Sequence, residues 1–184
     1  MNRDQYNQWR EHARQLLLNL YTETQVRVVL HWFDNIKGAG ERDLVGNDEV
    51  NAMLTFAQAR NSFDLYNSLM ARIFIYAPLI LKEDGLLDEA AIIGRVLDTN
   101  GLAQWTEHAR QGLLNRYTPA QTEEVLRWFA AMKGQEELEL VGNEASDCRL
   151  LFVSARNNYN MYNSYMCRLF VYAPLILRES GLLS

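Results

Sequence analysis

His12 and His108 are the side chains in this sequence best suited to proton chemistry, and they occupy the same setting. Around the first stand Gln8, Gln15 and Asn19; around the second stand Gln104, Gln111 and Asn115. Steps of four, three and four put each set on one face of a helix. An imidazole in such a row could act as a general base or as a ligand, because it titrates near neutral pH. Glu11 and Arg14 flank the first histidine, and Glu107 and Arg110 the second. Catalysis would need a positioned carboxylate or nucleophile beside the ring. A metal would need further ligands at a suitable spacing, yet the remaining histidine, His31, is matched by Arg127. A polar network or an interface is therefore the plainer reading of these rows.

A second group of polar residues is repeated farther along. Arg60, Asn61, Asn67, Ser68 and Arg72 are matched by Arg156, Asn157, Asn163, Ser164 and Arg168, while Asp64 is matched by Asn160. Helical spacing gathers them on one face and leaves Phe63, Tyr66, Met70, Ile73, Phe74 and Ala77 on the other, as core. Arg72 stands among apolar neighbours. A buried guanidinium needs a partner, since breaking a buried ion pair costs about 3–5 kcal/mol, and Glu11 or Glu83 could supply it. One reading is a salt bridge between helices. The other is an anion or partner-protein site built from Arg60, Asn61 and Arg72, with the exchange of Leu69 for Tyr165 letting the two stripes meet different targets.

Other signatures are missing. "GAGER" lacks the spacing and the Lys-Ser/Thr of a phosphate loop. Neither a nucleophile elbow nor a zincin motif occurs. Cys148 and Cys167 are matched by Ala52 and Ala71, which suits packing residues rather than a disulfide or a metal site. No cofactor is implied. The net charge is −5, and neither half of the chain is basic, so a nucleic-acid footprint is not expected. The opening residues, MNRDQYNQWR, contain no apolar signal core. The most apolar run, residues 69–81, falls short of the roughly 20 residues needed to span a membrane. These features give a cytoplasmic protein as the expectation.

The elements that must position these residues follow from a repeat. Displaced by 96 residues, the sequence falls on itself without a gap: "QWREHARQLLLNLYT" becomes "QWTEHARQGLLNRYT", and "YAPLIL" recurs at 76–81 and 172–177. About half of the aligned positions are identical. A tandem duplication of this length implies two similar units rather than a short-period solenoid. Tyr6, Trp9, Ala13, Leu16, Leu17 and Leu20 form an apolar stripe, predicting a first helix over 4–20. "TETQ" and "TPAQ" are capping boxes that start a second helix at Thr22 and at Thr118, with Pro119 at the tolerant first position. That helix is expected to end at Lys37 and Gly38. A third, capped by Asn47 and with a break near 61–62, is expected to reach Tyr76. Pro78 then predicts a corner at "YAP" and a short final helix closed by Gly85. The stretch 88–101 reads as a connector helix capped by Asp88 and ending near Asn100 and Gly101.

The expected fold is all-α: a tandem duplication of a four- to five-helix unit, with two pseudo-symmetric bundles packed together. The units are residues 1–87 and 102–184, joined by the connector 88–101. The expected function is a non-enzymatic protein-binding module of adaptor, regulator or immunity type, of the sort found in bacteria and phages, with another protein as partner. The alternative is a small enzyme, or a protein binding a small ligand or anion, that uses the His12, Arg60 and Arg72 stripes.

Overall fold

In the computed structural model, residues 1–35, 65–87, 97–131 and 161–183 are described. They form six helices and, among the described residues, no strand: α1 (Arg3–Leu18), α2 (Glu23–Asn35), α3 (Leu65–Glu83), α4 (Thr99–Leu114), α5 (Pro119–Ala131) and α6 (Met161–Glu179). Each of the last three starts and stops 96 residues after its counterpart. Asn2 opens α1 through a reciprocal box with Gln5, at 2.8 Å in both directions. The two boxes expected from sequence are present. Thr22 and Gln25 exchange bonds of 2.9 and 3.3 Å, and Thr118 and Gln121 bonds of 2.9 and 3.2 Å. Each glutamine has a second use. Gln25 Nε2 donates to the Leu86 carbonyl at 2.9 Å, and Gln121 Nε2 to that of Leu182 at 2.8 Å. The start of one helix is thereby tied to the turn that ends another.

Two boundary expectations are corrected. Asn100 and Gly101 do not end a connector helix; they lie in the first turn of α4, because Asp98 Oδ1 accepts the Gly101 N–H at 2.7 Å and starts a helix there. Residues 88–96 lie outside the described residues, as do the expected ends at Lys37 and Gly38, the Asn47 cap, the 61–62 break and Cys148. The second correction concerns "YAPLIL", which makes no corner. Pro78 and Pro174 sit inside the continuous helices α3 and α6. Gly85 and Gly181, at φ +75° and +74°, close those helices. Leu86 N–H reaches the Leu81 carbonyl at 2.8 Å and Gly85 N–H that of Lys82 at 3.1 Å, the pattern of a left-handed glycine cap.

A proline within a helix withholds the N–H that would bond the carbonyl four residues earlier. For Pro78 that carbonyl belongs to Phe74, and for Pro174 to Phe170. Both find a donor across the helix pair. Asn163 Nδ2 donates to the Phe74 carbonyl at 2.7 Å, and Asn67 Nδ2 to the Phe170 carbonyl at 2.7 Å. The second proton of each amide is directed to a phenol, Tyr21 at 3.1 Å and Tyr117 at 3.0 Å. Each half of the chain thus grips the other through an asparagine. The proline is tolerated because its missing donor is replaced from outside the helix.

α3 and α6 make the most extensive helix pair and are buried around nearly their whole circumference, as an apolar helix should be. The polar stripe of this segment is enclosed: Asn67, Ser68, Arg72, Asn163, Ser164 and Arg168 are all buried. One contiguous core runs through both halves, with Trp9, Trp105, Phe74, Phe170, Tyr76 and Tyr172 at its centre. Cys167 is buried within it. α1 and α4 also meet. A Cβ at Gly112 would stand 2.8 Å from Leu16 Cδ1, so these helices approach closely where a glycine matches a leucine.

Candidate functional site

The histidine rows of α1 and α4 end in matched contacts. His12 Nδ1 lies 2.7 Å from the Tyr66 hydroxyl, and His108 Nδ1 lies 2.8 Å from that of Tyr162. Burial pushes both imidazoles below their ordinary value, against an opposing pull from Glu11 and Glu107. Both rings are accordingly neutral at pH 7. Glu11 itself meets Arg14 in its own helix at 3.4 Å.

The surroundings of the two histidines differ. Beside His12 opens a groove of about 300 Å³ lined by Gln5, Gln8 and His12 of α1, Leu65 and Tyr66 of α3, Asn115 and Arg116 after α4, and Met1. The Arg116 guanidinium lies over the Tyr66 ring, 5.0 Å from its centroid. The groove therefore combines residues from both halves of the chain. At the matching positions Leu20 stands for Arg116 and Gly101 for Gln5. There the backbone N–H of Leu97 contacts Met161 Sδ at 3.4 Å. The matching place keeps Gln104, His108, Tyr162 and Asn19 but lacks the guanidinium and one of the amides.

Chemically, the groove offers hydrogen-bond donors and acceptors of mixed kind: three amides, one neutral imidazole held by a phenol, and one guanidinium. That composition suits recognition of an acceptor-rich or acidic group, with Arg116 supplying charge-assisted bonds. Among the described residues, no group of three or more His, Cys, Asp or Glu could hold a metal ion.

The other candidate residues fall elsewhere. Asn67 and Asn163 lie in the α3–α6 interface. The Arg72 guanidinium sits 5.7 Å from the Phe33 ring centroid, and that of Arg168 lies 5.6 Å from Phe129 and 5.0 Å from Tyr165. Arg60, Asn61, Arg156 and Asn157 lie outside the described residues. The sequence reading passed over Arg116 because it differs from its counterpart Leu20, and it placed Tyr66 in the core on spacing alone. Tyr66 is indeed buried, but its hydroxyl reaches the groove histidine.

Among the described residues no helix is long and apolar enough to cross a membrane. Compared with protein-family models, with curated proteins and with solved structures, the chain matches none.

Proposed function

We propose that this chain is a non-enzymatic binding protein, made by tandem duplication of one helical unit and packed about a pseudo-two-fold axis. Its partner is another protein that lays an acidic segment in the groove beside His12. The observation that carries this reading is the composition of the groove. His12 and Tyr66 come from one half, Asn115 and Arg116 from the other, so duplication supplies a surface that one unit alone lacks. The constant helix offset and the reciprocal asparagine bonds support the duplicated, pseudo-symmetric architecture. An adaptor, a regulator or an immunity protein of the cytoplasm would use such a groove.

The test places a photo-crosslinking residue at Gln8, in the groove, and at Thr24, on the exposed side of α2, in cells of the source organism. A single protein crosslinked from position 8 but not 24, and lost on Arg116→Glu without a change in melting temperature, is the expected result. Crosslinking that is equal at both positions, or indifferent to Arg116→Glu, would refute the groove as the binding surface.

A further inference from the structure

A second cavity, remote from the His12 groove in its residues, lies in the other half. It measures about 280 Å³ between α4, α5 and α6, with Trp105, Thr106, Phe129, Ala130, Tyr165 and Arg168 among its walls. Trp105, Phe129 and Tyr165 contact one another in an aromatic box, at centroid distances of 5.4, 5.6 and 5.7 Å. Arg168 lies against two of these rings.

The matching place in the first half contains a plug made of the chain's own side chains. Tyr6 OH donates to Asp34 Oδ1 at 2.6 Å. Arg10 Nε bonds both Asp34 oxygens, at 3.2 and 3.0 Å, and its Nη2 approaches Oδ2 at 2.9 Å. The Tyr6 ring packs on Trp9 at 5.5 Å. Burial first, and then the Asp34 carboxylate, push the Tyr6 phenol well above its ordinary value, while Arg10 and then Arg72 pull it back. Arg72 is thus within electrostatic reach of the plug.

In the second half all three plug residues are replaced together. Leu102 stands for Tyr6, Thr106 for Arg10 and Ala130 for Asp34. A partly exposed ion pair and its phenol have been removed as a set. Leu69 has become Tyr165, which completes the aromatic walls. The cavity therefore retains the tryptophan, the phenylalanine and the arginine of the first half, and lacks the phenol and carboxylate that fill the space there.

From this juxtaposition we infer that the second half holds a separate binding site for a small aromatic carboxylic acid. The ring lies against Trp105 and Phe129, and the carboxylate takes the position vacated by Asp34's counterpart, facing Arg168 and the Thr106 hydroxyl. The first half is in effect the occupied form of the site, with Tyr6 and Asp34 as built-in ligand. The volume limits the ligand to about one ring, near the lower end of small-molecule pockets. Aromatic walls favour a flat apolar body, and the guanidinium selects an anion by charge-assisted hydrogen bonds.

The probes are 4-hydroxyphenylacetate, phenylacetate and the neutral phenylacetamide, titrated into the full chain with calorimetry and tryptophan fluorescence as readouts. Both acids are expected to bind one per chain, with the amide weaker by about tenfold or more, as loss of a hydrogen bond to a charged group implies. Leu102→Tyr/Thr106→Arg/Ala130→Asp rebuilds the plug of the first half. It should abolish binding while the melting temperature is maintained, which separates loss of the site from loss of the fold. Equal binding of acid and amide, unchanged binding by the plugged variant, or no saturable binding of either acid up to millimolar concentration would each overturn the inference.

Discussion

Removing the Asn163 side chain tests whether an asparagine stands in for a proline's missing amide. In the native protein the Phe74 carbonyl lacks the N–H of residue 78 and accepts from Asn163 Nδ2 at 2.7 Å. Asn163→Ala leaves that carbonyl buried without either donor, a penalty of about 1–3 kcal/mol. Tyr21 also loses its amide contact, so the total expected loss is about 2–4 kcal/mol. Pro78→Ala supplies an N–H to the same carbonyl from within α3, and alanine is favoured over proline in a helix by about 3 kcal/mol. In the Pro78→Ala background, Asn163→Ala should therefore cost about 1–2 kcal/mol less than in the native protein. The cavity left by the asparagine is common to both backgrounds and cancels in the cycle. Urea denaturation of the four proteins gives the coupling directly, and the mirrored set Pro174→Ala with Asn67→Ala provides an independent repeat. Additivity within about 0.5 kcal/mol would show that the bond does not compensate the proline, and the account of "YAPLIL" would have to be abandoned.

Two further predictions follow from the same core. Gly112→Leu should destabilise the protein by about 1–3 kcal/mol through overpacking against Leu16, and the swap Leu16→Gly/Gly112→Leu should recover most of it, because helix propensity is conserved; thermal melts of the three variants decide, and a swap no better than the single change would refute a direct contact. Acidification should weaken the protein in two stages, read as urea midpoints against pH. His12 and His108, lowered from 6.5, bind protons more readily when unfolded, so their contribution is lost as pH falls below about 6.5; Glu124, held down to about 2 first by Arg127 and then by Ser180, loses its contribution between about 4.5 and 2. His12→Gln/His108→Gln should flatten the upper stage and leave the lower one; persistence of the upper stage would assign it to other groups.

The parts of the fold legible in the sequence were those encoded by local chemistry. Thr22 with Gln25, and Thr118 with Gln121, announce helix starts because both partners of the box lie within one turn. Gly85 announces an end because its positive φ excludes most residues. Pro78 misled because its local rule is overridden from far away: the compensating amide of Asn163 comes from the other half of the chain, and no nearby residue signals it. The same reason hid the fate of the polar stripe. Spacing placed Asn67 and Arg72 on one face, but whether that face meets water or α6 is a tertiary fact. Helix propensity and capping are local, whereas burial of a helix on all sides requires knowing what packs on each.

Comparison of the two halves also separates two kinds of residue that sequence alone treats alike. The polar side chains unchanged between the halves, Asn67 with Asn163, Tyr21 with Tyr117, His12 with His108 and Gln25 with Gln121, spend their hydrogen bonds inside the molecule. The residues that differ, Arg116 against Leu20 and the set Tyr6, Arg10 and Asp34 against Leu102, Thr106 and Ala130, line or fill the two cavities. Retention of a bonded polar residue in both halves marks what each half needs for its packing. Divergence marks where the two halves do different work. Reading identity between the halves as a sign of function therefore gathers scaffold residues such as Asn67 and Asn163 together with His12, and misses Arg116. An asparagine that satisfies a buried carbonyl cannot change in either half without cost, whereas a surface pocket needs to exist only once and is free to be filled, opened or recharged in the other.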